Sequence, residues 1–156
     1  MGPIKLSWYH FLIPIVFLLF SPVMLLSFRP HVFPYVVAVP ADEPSLLSPV
    51  SPVFSRAPYF AVYDFKHNTA IFVANRFVNT THEAGLHVAR LLVRERVGVV
   101  IAKNVGPEPF EHLMRRGVKV FGGLANNVQE ALTKYNSGQL TESGGPTGFS
   151  KTFTVK

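Results

Sequence analysis

Two turns that follow apolar runs carry residue types suited to holding a ligand. The segment KNVGPEP (103–109) follows the run VGVVIA (97–102), and FGG (121–123) ends the next apolar run. If both runs are parallel strands, the turns lie at the carboxyl edge of a sheet, where ligands of open α/β folds bind against helix N–H groups. Gly106 would let the backbone approach a ligand closely, and Lys103 would add charge for an anionic one. The alternative is that both turns are only tight connections.

One histidine is expected near the same edge. His82 lies at the start of a predicted helix, where it either contacts a ligand or is a solvated helix-start residue. His87 and His112 are expected on solvated helix surfaces, and His67 in a turn. The candidate binding site therefore comprises His82, Lys103, Asn104, Gly106, Gly122 and Gly123.

The composition argues against several classes of function. The chain has no cysteine, which excludes disulfides and thiolate-bound metal sites. Two-metal phosphoryl transfer needs converging carboxylates, but Asp64 is the only aspartate between residues 58 and 140. There is no GxSxG motif and no evident nucleophile–base pair. We therefore predict that the protein is not an enzyme. The basic residues behind the net charge of +6 lie on helix backs without interleaved aromatics, so we predict no nucleic-acid partner.

Residues 58–140 have the pattern of one α/β domain. Two β-rich runs form a predicted hairpin, a helix follows from near Thr81 with a capping box from Thr80 to Glu83, and a helix with Pro107 in its first turn lies between two short strands. A last helix is capped at Asn126 or Asn127. The predicted order is β-β-α-β-α-β-α, a mixed sheet with right-handed crossovers.

The N-terminus has the composition of a membrane anchor. Residues 8–28 contain no Asp, Glu, Lys or Arg, and a membrane-spanning helix needs about 20 mainly apolar residues. The alternative is a cleaved signal peptide, although the apolar run is longer than a secretory core. Lys5 and Arg29 nearly balance under the positive-inside rule, so sidedness stays open, with a preference for a C-terminal domain outside the cytoplasm.

Two segments are expected to lie outside the folded domain. Residues 30–58 contain seven prolines and no glycine, which predicts a semi-rigid linker over residues 30–57, between an anchor at 1–29 and the domain. Residues 141–156 are polar and glycine-rich, which predicts a disordered tail.

Several segments in order resemble the dinitrogenase iron–molybdenum cofactor-binding family. These are YFAVYDF, HEAGLHVARLLVRERVGVVIAKNVGP, FEHLMRRGVKVFGG and VQEALTKYNSGQL. The resemblance implies a ribonuclease-H-like three-layer fold and the handling of nitrogenase-type cofactors or their precursors. Family members that handle clusters use histidine and in some cases cysteine, which leaves His82 as the candidate metal ligand here. One imidazole makes a weak iron site unless the cluster brings its own ligands.

The resulting hypothesis is a membrane-anchored, non-enzymatic module that binds an iron-containing or other anionic metallo-ligand, such as an iron–sulfur-type cluster. The alternative is a membrane-tethered scaffold that docks a protein partner and has lost cofactor binding.

Overall fold

The computed structural model describes residues 33–123 and 125–148, and these form one sheet with helices on both faces. The elements in chain order are β1 (Phe33–Ala41), a 3-10 helix (Phe54–Arg56), β2 (Tyr59–Asp64), β3 (Thr69–Ala74), α1 (Ala84–Arg94), β4 (Val97–Ile101), α2 (Pro107–Arg115), β5 (Lys119–Gly122), α3 (Val128–Asn136) and β6 (Thr141–Glu142). The strand order is β3-β2-β1-β4-β5-β6. Strands β1, β4 and β5 run parallel to one another. Strand β2 is antiparallel to β1, β3 is antiparallel to β2, and β6 is antiparallel to β5. The predicted mixed α/β sheet is confirmed.

Strand β1 lies in the middle of the sheet, so the predicted linker over residues 30–57 is wrong from residue 33 onward. Val37 pairs with Tyr63 of antiparallel β2 on one side and with Val99 of parallel β4 on the other. The number of prolines led to the wrong prediction. Pro34 and Pro40 are tolerated because they lie near the two ends of β1, where a missing N–H removes few hydrogen bonds between strands. Between them, the run VVAV is buried, as expected of a central strand.

The two faces of the sheet carry separate apolar cores. Helices α1 and α2 cover one face through residues that include Val88, Leu92 and Leu113. Helix α3 covers the other face through Val128 and Ala131, against the opposite side of β1 and β4. This arrangement gives three layers, with the five-residue strand β4 buried along its whole length.

The helix starts show where local sequence signals hold. Helix α2 begins at Pro107, and in α3 the side chain of Asn127 accepts a hydrogen bond from the N–H of Glu130, both as predicted. Helix α1 begins at Ala84, later than the predicted start near Thr81. The reason is that Glu83 has a left-handed backbone (φ 54°), and no side chain caps this end of the helix.

The C-terminal segment is packed as far as residue 148. Strand β6 pairs with β5, and the N–H groups of Thr147 and Gly148 donate to the carbonyl of Val105 at 3.0 and 2.9 Å. The predicted disordered tail is therefore wrong for residues 141–148, because backbone hydrogen bonds hold this glycine-rich stretch against the domain.

The predicted anchor at residues 8–28 lies outside the described residues. Within 33–123 and 125–148, no helix is long and apolar enough to cross a membrane.

Gly98 of β4 lets the backbone of β1 approach closely. We therefore expect Gly98→Ala to lower the stability of the folded protein. A Cβ at this position would overlap the carbonyl oxygen of Phe33 and lie 2.8 Å from the nitrogen of Pro34, both backbone atoms of β1. Forcing the strands apart should lower the free energy of unfolding by about 3 kcal/mol, measured by urea denaturation of the full-length chain in mild detergent. Gly145→Ala is the control because no heavy atom lies within 4 Å of its added methyl group. Equal stability of the two variants would contradict this account of β1.

Candidate functional site

A cavity of about 790 Å³ lies at the carboxyl edge of the sheet, between the first turns of α1 and α2. Three of the predicted site residues line it: His82, Asn104 and Gly106. The opposite walls come from residues 53–56, which follow β1, and from Gly148. The structure thus brings the histidine and the first glycine turn together, as the sequence predicted.

Both helices present their N-terminal ends to the cavity without a side-chain cap. The first N–H groups of a helix have no intrahelical partner, and its N-terminus carries a partial positive charge of roughly half an elementary charge. Helix α1 offers the N–H groups of Ala84 and Gly85. Helix α2 offers mainly that of Glu108, because Pro107 and Pro109 have none. This edge can therefore donate hydrogen bonds to an anionic group.

Arg56 adds a fixed cation to the cavity wall. Its Nη1 donates to the carbonyl of Val78 at 2.6 Å and to that of Thr80 at 2.9 Å. These bonds tie the 3-10 helix to the loop that carries His82. Because both use one nitrogen, the other guanidinium N–H groups are free to meet a ligand.

Two carboxylates reduce the positive potential that Arg56 and the helix N-termini create in the cavity. Glu83 and Glu108 also line the cavity, each beside a helix N-terminus, where a negative charge is itself stabilised. The lining therefore combines one guanidinium, one imidazole, two carboxylates and two helix ends. The two carboxylates make it less suited to a simple polyanion than a purely cationic lining would be.

Gly106 leaves room in the cavity. Its backbone (φ −68°, ψ 167°) is one that any residue adopts, so no backbone strain explains the glycine. A Cβ built there would meet only Pro109, at 3.8 Å. A side chain at this position would occupy space that a ligand could use.

The second glycine turn does not form a wall of this cavity. Gly122 pairs with Thr141 of β6, and a Cβ on Gly123 would lie 2.5 Å from a side-chain carbon of Leu140. Strand β6 and the residue before it therefore cover that end of β5, which the prediction of a disordered tail missed. Lys103 is half-buried and is not among the residues that line the cavity.

Arg56 and Gly148 were not predicted as site residues, because both lie in segments that the sequence placed outside the domain. Asn104 also has a structural task that its type did not reveal. Its side-chain Nδ2 donates to the carbonyl of Pro52 at 2.8 Å. Its backbone carbonyl accepts from the N–H of Phe54 at 3.2 Å. A signal for the missed wall was present in the apolar run of β1, which places the residues after it at this edge.

Within residues 33–123 and 125–148, no group of three or more His, Asp or Glu side chains is placed to hold a metal ion. These residues alone therefore do not complete the coordination of a bare ion.

Asn75 supports the wall formed by residues 53–56 through bonds to Ser55 and to Ala57, which follows the wall, and we expect Asn75→Ala to destabilise the fold. This buried side chain donates to the carbonyls of Ser55 (3.2 Å) and Ala57 (2.8 Å) and accepts from the N–H of Phe77 (2.9 Å). Its loss leaves buried groups unpaired, which should lower the free energy of unfolding by about 2 kcal/mol. The exposed Asn104→Ala variant is the comparison, with an expected loss below about 1 kcal/mol because water can replace its side chain. Equal losses in urea denaturation would show that Asn75 does not support the wall.

Comparison with known proteins places the whole described domain in one family. A family model described as dinitrogenase iron-molybdenum cofactor matches residues 35–138. The apo form of the orange protein from Desulfovibrio gigas is 32% identical with a TM-score of 0.71, over 74% of this chain and 98% of that one.

A Thermotoga protein named as a NifB candidate is 36% identical with a TM-score of 0.65, over 76% of this chain and 98% of that one. A dinitrogenase candidate from Methanocaldococcus jannaschii, at 18% identity and a TM-score of 0.55 over 71% of this chain and 96% of that one, shares the fold. No curated protein sequence is significantly similar to this chain. Because the family match spans more than half of the sequence, the chain belongs to the dinitrogenase iron-molybdenum cofactor family.

Proposed function

We propose that the protein is a non-enzymatic carrier that holds an iron-containing or other anionic metal cluster in the cavity between α1 and α2. The observation that carries the proposal is the convergence of His82 with two uncapped helix N-termini around one space of about 790 Å³. Family membership supports a role in handling metal clusters. The cluster is cargo in this proposal, and no catalytic step is assigned to the protein.

The donor set favours a preformed cluster over a bare metal ion. A bare ion of the iron group needs several nitrogen, oxygen or sulfur ligands from the protein, and the described residues do not gather three such side chains. A cluster arrives with most of its coordination satisfied, so one imidazole suffices to attach it. Its anionic outer atoms can then accept hydrogen bonds from the backbone.

Each residue of the cavity has a distinct task in this proposal. His82 supplies one neutral ring nitrogen to the metal. The N–H groups at the start of α1 donate to the anionic atoms of the cluster. Arg56 holds the loop of His82 in place and offsets negative charge, while Gly106 leaves space for the cluster.

The cargo proposal predicts that His82→Ala strongly weakens metal retention. The full-length chain would be mixed anaerobically with ferrous iron and sulfide or with a reconstituted iron–sulfur cluster, and bound iron would be measured after desalting. We expect about stoichiometric iron in the unchanged chain and at least about a tenfold weaker affinity in the variant, equivalent to about 1.4 kcal/mol. His67→Ala is the control, since this exposed histidine is bonded to Asp64 at 2.7 Å in the hairpin turn.

Retention that is equal in the His82 and His67 variants would remove His82 from the site. An unchanged, folded chain that retains no metal from either source would contradict the carrier proposal and favour a scaffold that docks a protein partner.

Filling the cavity gives an independent test. Gly106→Ala should leave the urea midpoint close to that of the unchanged chain, because its methyl group meets only Pro109 at 3.8 Å. Cluster retention should nevertheless fall, because the methyl group takes space from the cargo. Gly145→Ala is the matched control and should retain the cluster fully. A Gly106→Ala protein that binds the cluster as well as this control would place the cargo elsewhere.

The proposal includes an N-terminal membrane anchor at residues 8–28. Its support is the 21-residue apolar run without Asp, Glu, Lys or Arg, which matches the length of a spanning helix. We expect the full-length chain to stay with membranes after extraction at high pH, and a chain starting at residue 30 to be released. Release of both forms would contradict an anchor, and a shortened mature N-terminus found by mass spectrometry would identify a cleaved signal peptide.

A further inference from the structure

A second cavity, of about 360 Å³, lies in the cleft between the outer surfaces of α1 and α2. Its polar lining is entirely basic among the described residues: His87, Arg90, Arg94, His112 and Arg116. Three apolar residues, Phe77, Leu91 and Val93, complete it. We call this set of eight residues the basic cleft. It shares no residue with the candidate cargo cavity.

The basic residues of the cleft come from two helices that face each other. On α1, Arg90 and Arg94 are four residues apart and therefore lie on one side of the helix. On the other side, His112 of α2 and Arg116, the residue directly after α2, have the same spacing, and both pairs line the cleft. Three guanidinium groups around one small space repel each other unless an anion lies between them.

The neighbouring carboxylate does not neutralise the cleft. Glu111 of α2 pairs with Arg115 at 2.7 Å, and neither residue lines the cleft. The side chain of Arg115 is therefore already paired, whereas Arg90, Arg94 and Arg116 line the cleft.

The positive charges of the arginines act on His112 of α2. Partial burial and then the charges of Arg116, Arg90 and Arg115 lower the pKa of His112 below its usual value. The groups that face this ring are thus cationic on both α1 and α2, and His87 on α1 stacks on Phe77 with ring centroids 4.8 Å apart. An anion in the cleft would reverse this effect on His112.

We infer that the basic cleft is a binding site for a phosphoryl group, supplied either by a free phosphate compound or by a phospholipid headgroup. Guanidinium groups match phosphate oxygens with paired hydrogen bonds. The volume of the cleft is less than half that of the cargo cavity, so it suits a small anionic group. Both sources present the same chemistry to Arg90, Arg94 and Arg116.

Binding of the anion favours the protonated form of His112, so its pKa should rise when the site fills. By linkage, affinity should increase as the pH falls through the lowered pKa of the free protein. The full-length chain, in mild detergent, would be titrated with inorganic phosphate and separately with a short-chain phosphatidic acid. The readouts are the imidazole NMR signals of His112 at several pH values and the dissociation constant from calorimetry.

The decisive comparison is between Arg116→Gln and Arg115→Gln, which remove the same charge from adjacent positions at the C-terminal end of α2. We expect Arg116→Gln to weaken phosphate or headgroup binding about tenfold or more, since a charge-assisted hydrogen bond contributes more than a neutral one. Arg115→Gln should change affinity by less than about twofold, because its guanidinium is bonded to Glu111 outside the cleft.

The titrations with inorganic phosphate and with short-chain phosphatidic acid identify the source of the phosphoryl group. Saturable binding of inorganic phosphate with a rise in the pKa of His112 supports a free phosphate compound. Saturation by short-chain phosphatidic acid alone, with the same rise and the same loss in Arg116→Gln, supports a headgroup. No saturable response to either probe, or equal losses in the two arginine variants, would overturn the proposal.

Discussion

The structure depends on the insertion of β1 between β2 and β4. Its backbone completes an antiparallel ladder on one side and a parallel ladder on the other, and its buried side chains belong alternately to both cores. Without it, the hairpin of β2 and β3 would be separated from the βαβ units of the rest. The chain leaves β1 at the carboxyl edge of the sheet, where residues 53–56 then form the cavity wall. Both the sheet and this wall therefore depend on the pairing of β1.

Close contact with β4 is what fixes the start of this strand. The N–H of Phe33 donates to the carbonyl of Arg96 at 3.1 Å, and the pairing then shifts in register before Val37. Gly98 permits this irregular stretch because it has no Cβ to meet the backbone of Phe33. A proline at position 34 is compatible with the irregular register, since the ladder there is interrupted in any case.

The parts of the fold that the sequence predicted are those encoded by local signals. The start of α2 at Pro107, the cap of α3 at Asn127 and the hairpin between β2 and β3 each rest on a few adjacent residues. Strand β1 was missed because proline was read by its local cost, whereas its burial between two strands outweighs that cost. The start of α1 was missed because the left-handed Glu83 has no sequence signal of its own.

The candidate site was predictable to the same extent. His82, Asn104 and Gly106 were found because they follow elements with clear local signals. Arg56 was not, because its position depends on β1 and on carbonyls more than twenty residues away. Gly122 and Gly123 were assigned to the site because the cover of β5 by β6 rests on only two paired positions, which composition cannot reveal.

Helix α1 connects the two candidate binding surfaces, and its electrostatics suggest how far they act on each other. Its N-terminal turn faces the cargo cavity, while Arg90 and Arg94 face the basic cleft. Arginines toward the C-terminal end of a helix also complement its dipole, so part of their charge is explained by the helix itself. Arg90 lies six residues after Ala84, which places the two about 9 Å apart along the helix axis at about 1.5 Å per residue.

That separation is close to the screening length of about 8 Å at physiological ionic strength. A phosphoryl group in the cleft would therefore reduce the positive potential at the start of α1 only weakly, and the two sites should fill almost independently. Stronger coupling would require α1 to move between two arrangements, and its buried residues Val88, Ala89 and Leu92 instead hold it against the sheet. The proposed cargo binding and the proposed phosphoryl binding are thus expected to be separable, although both use α1.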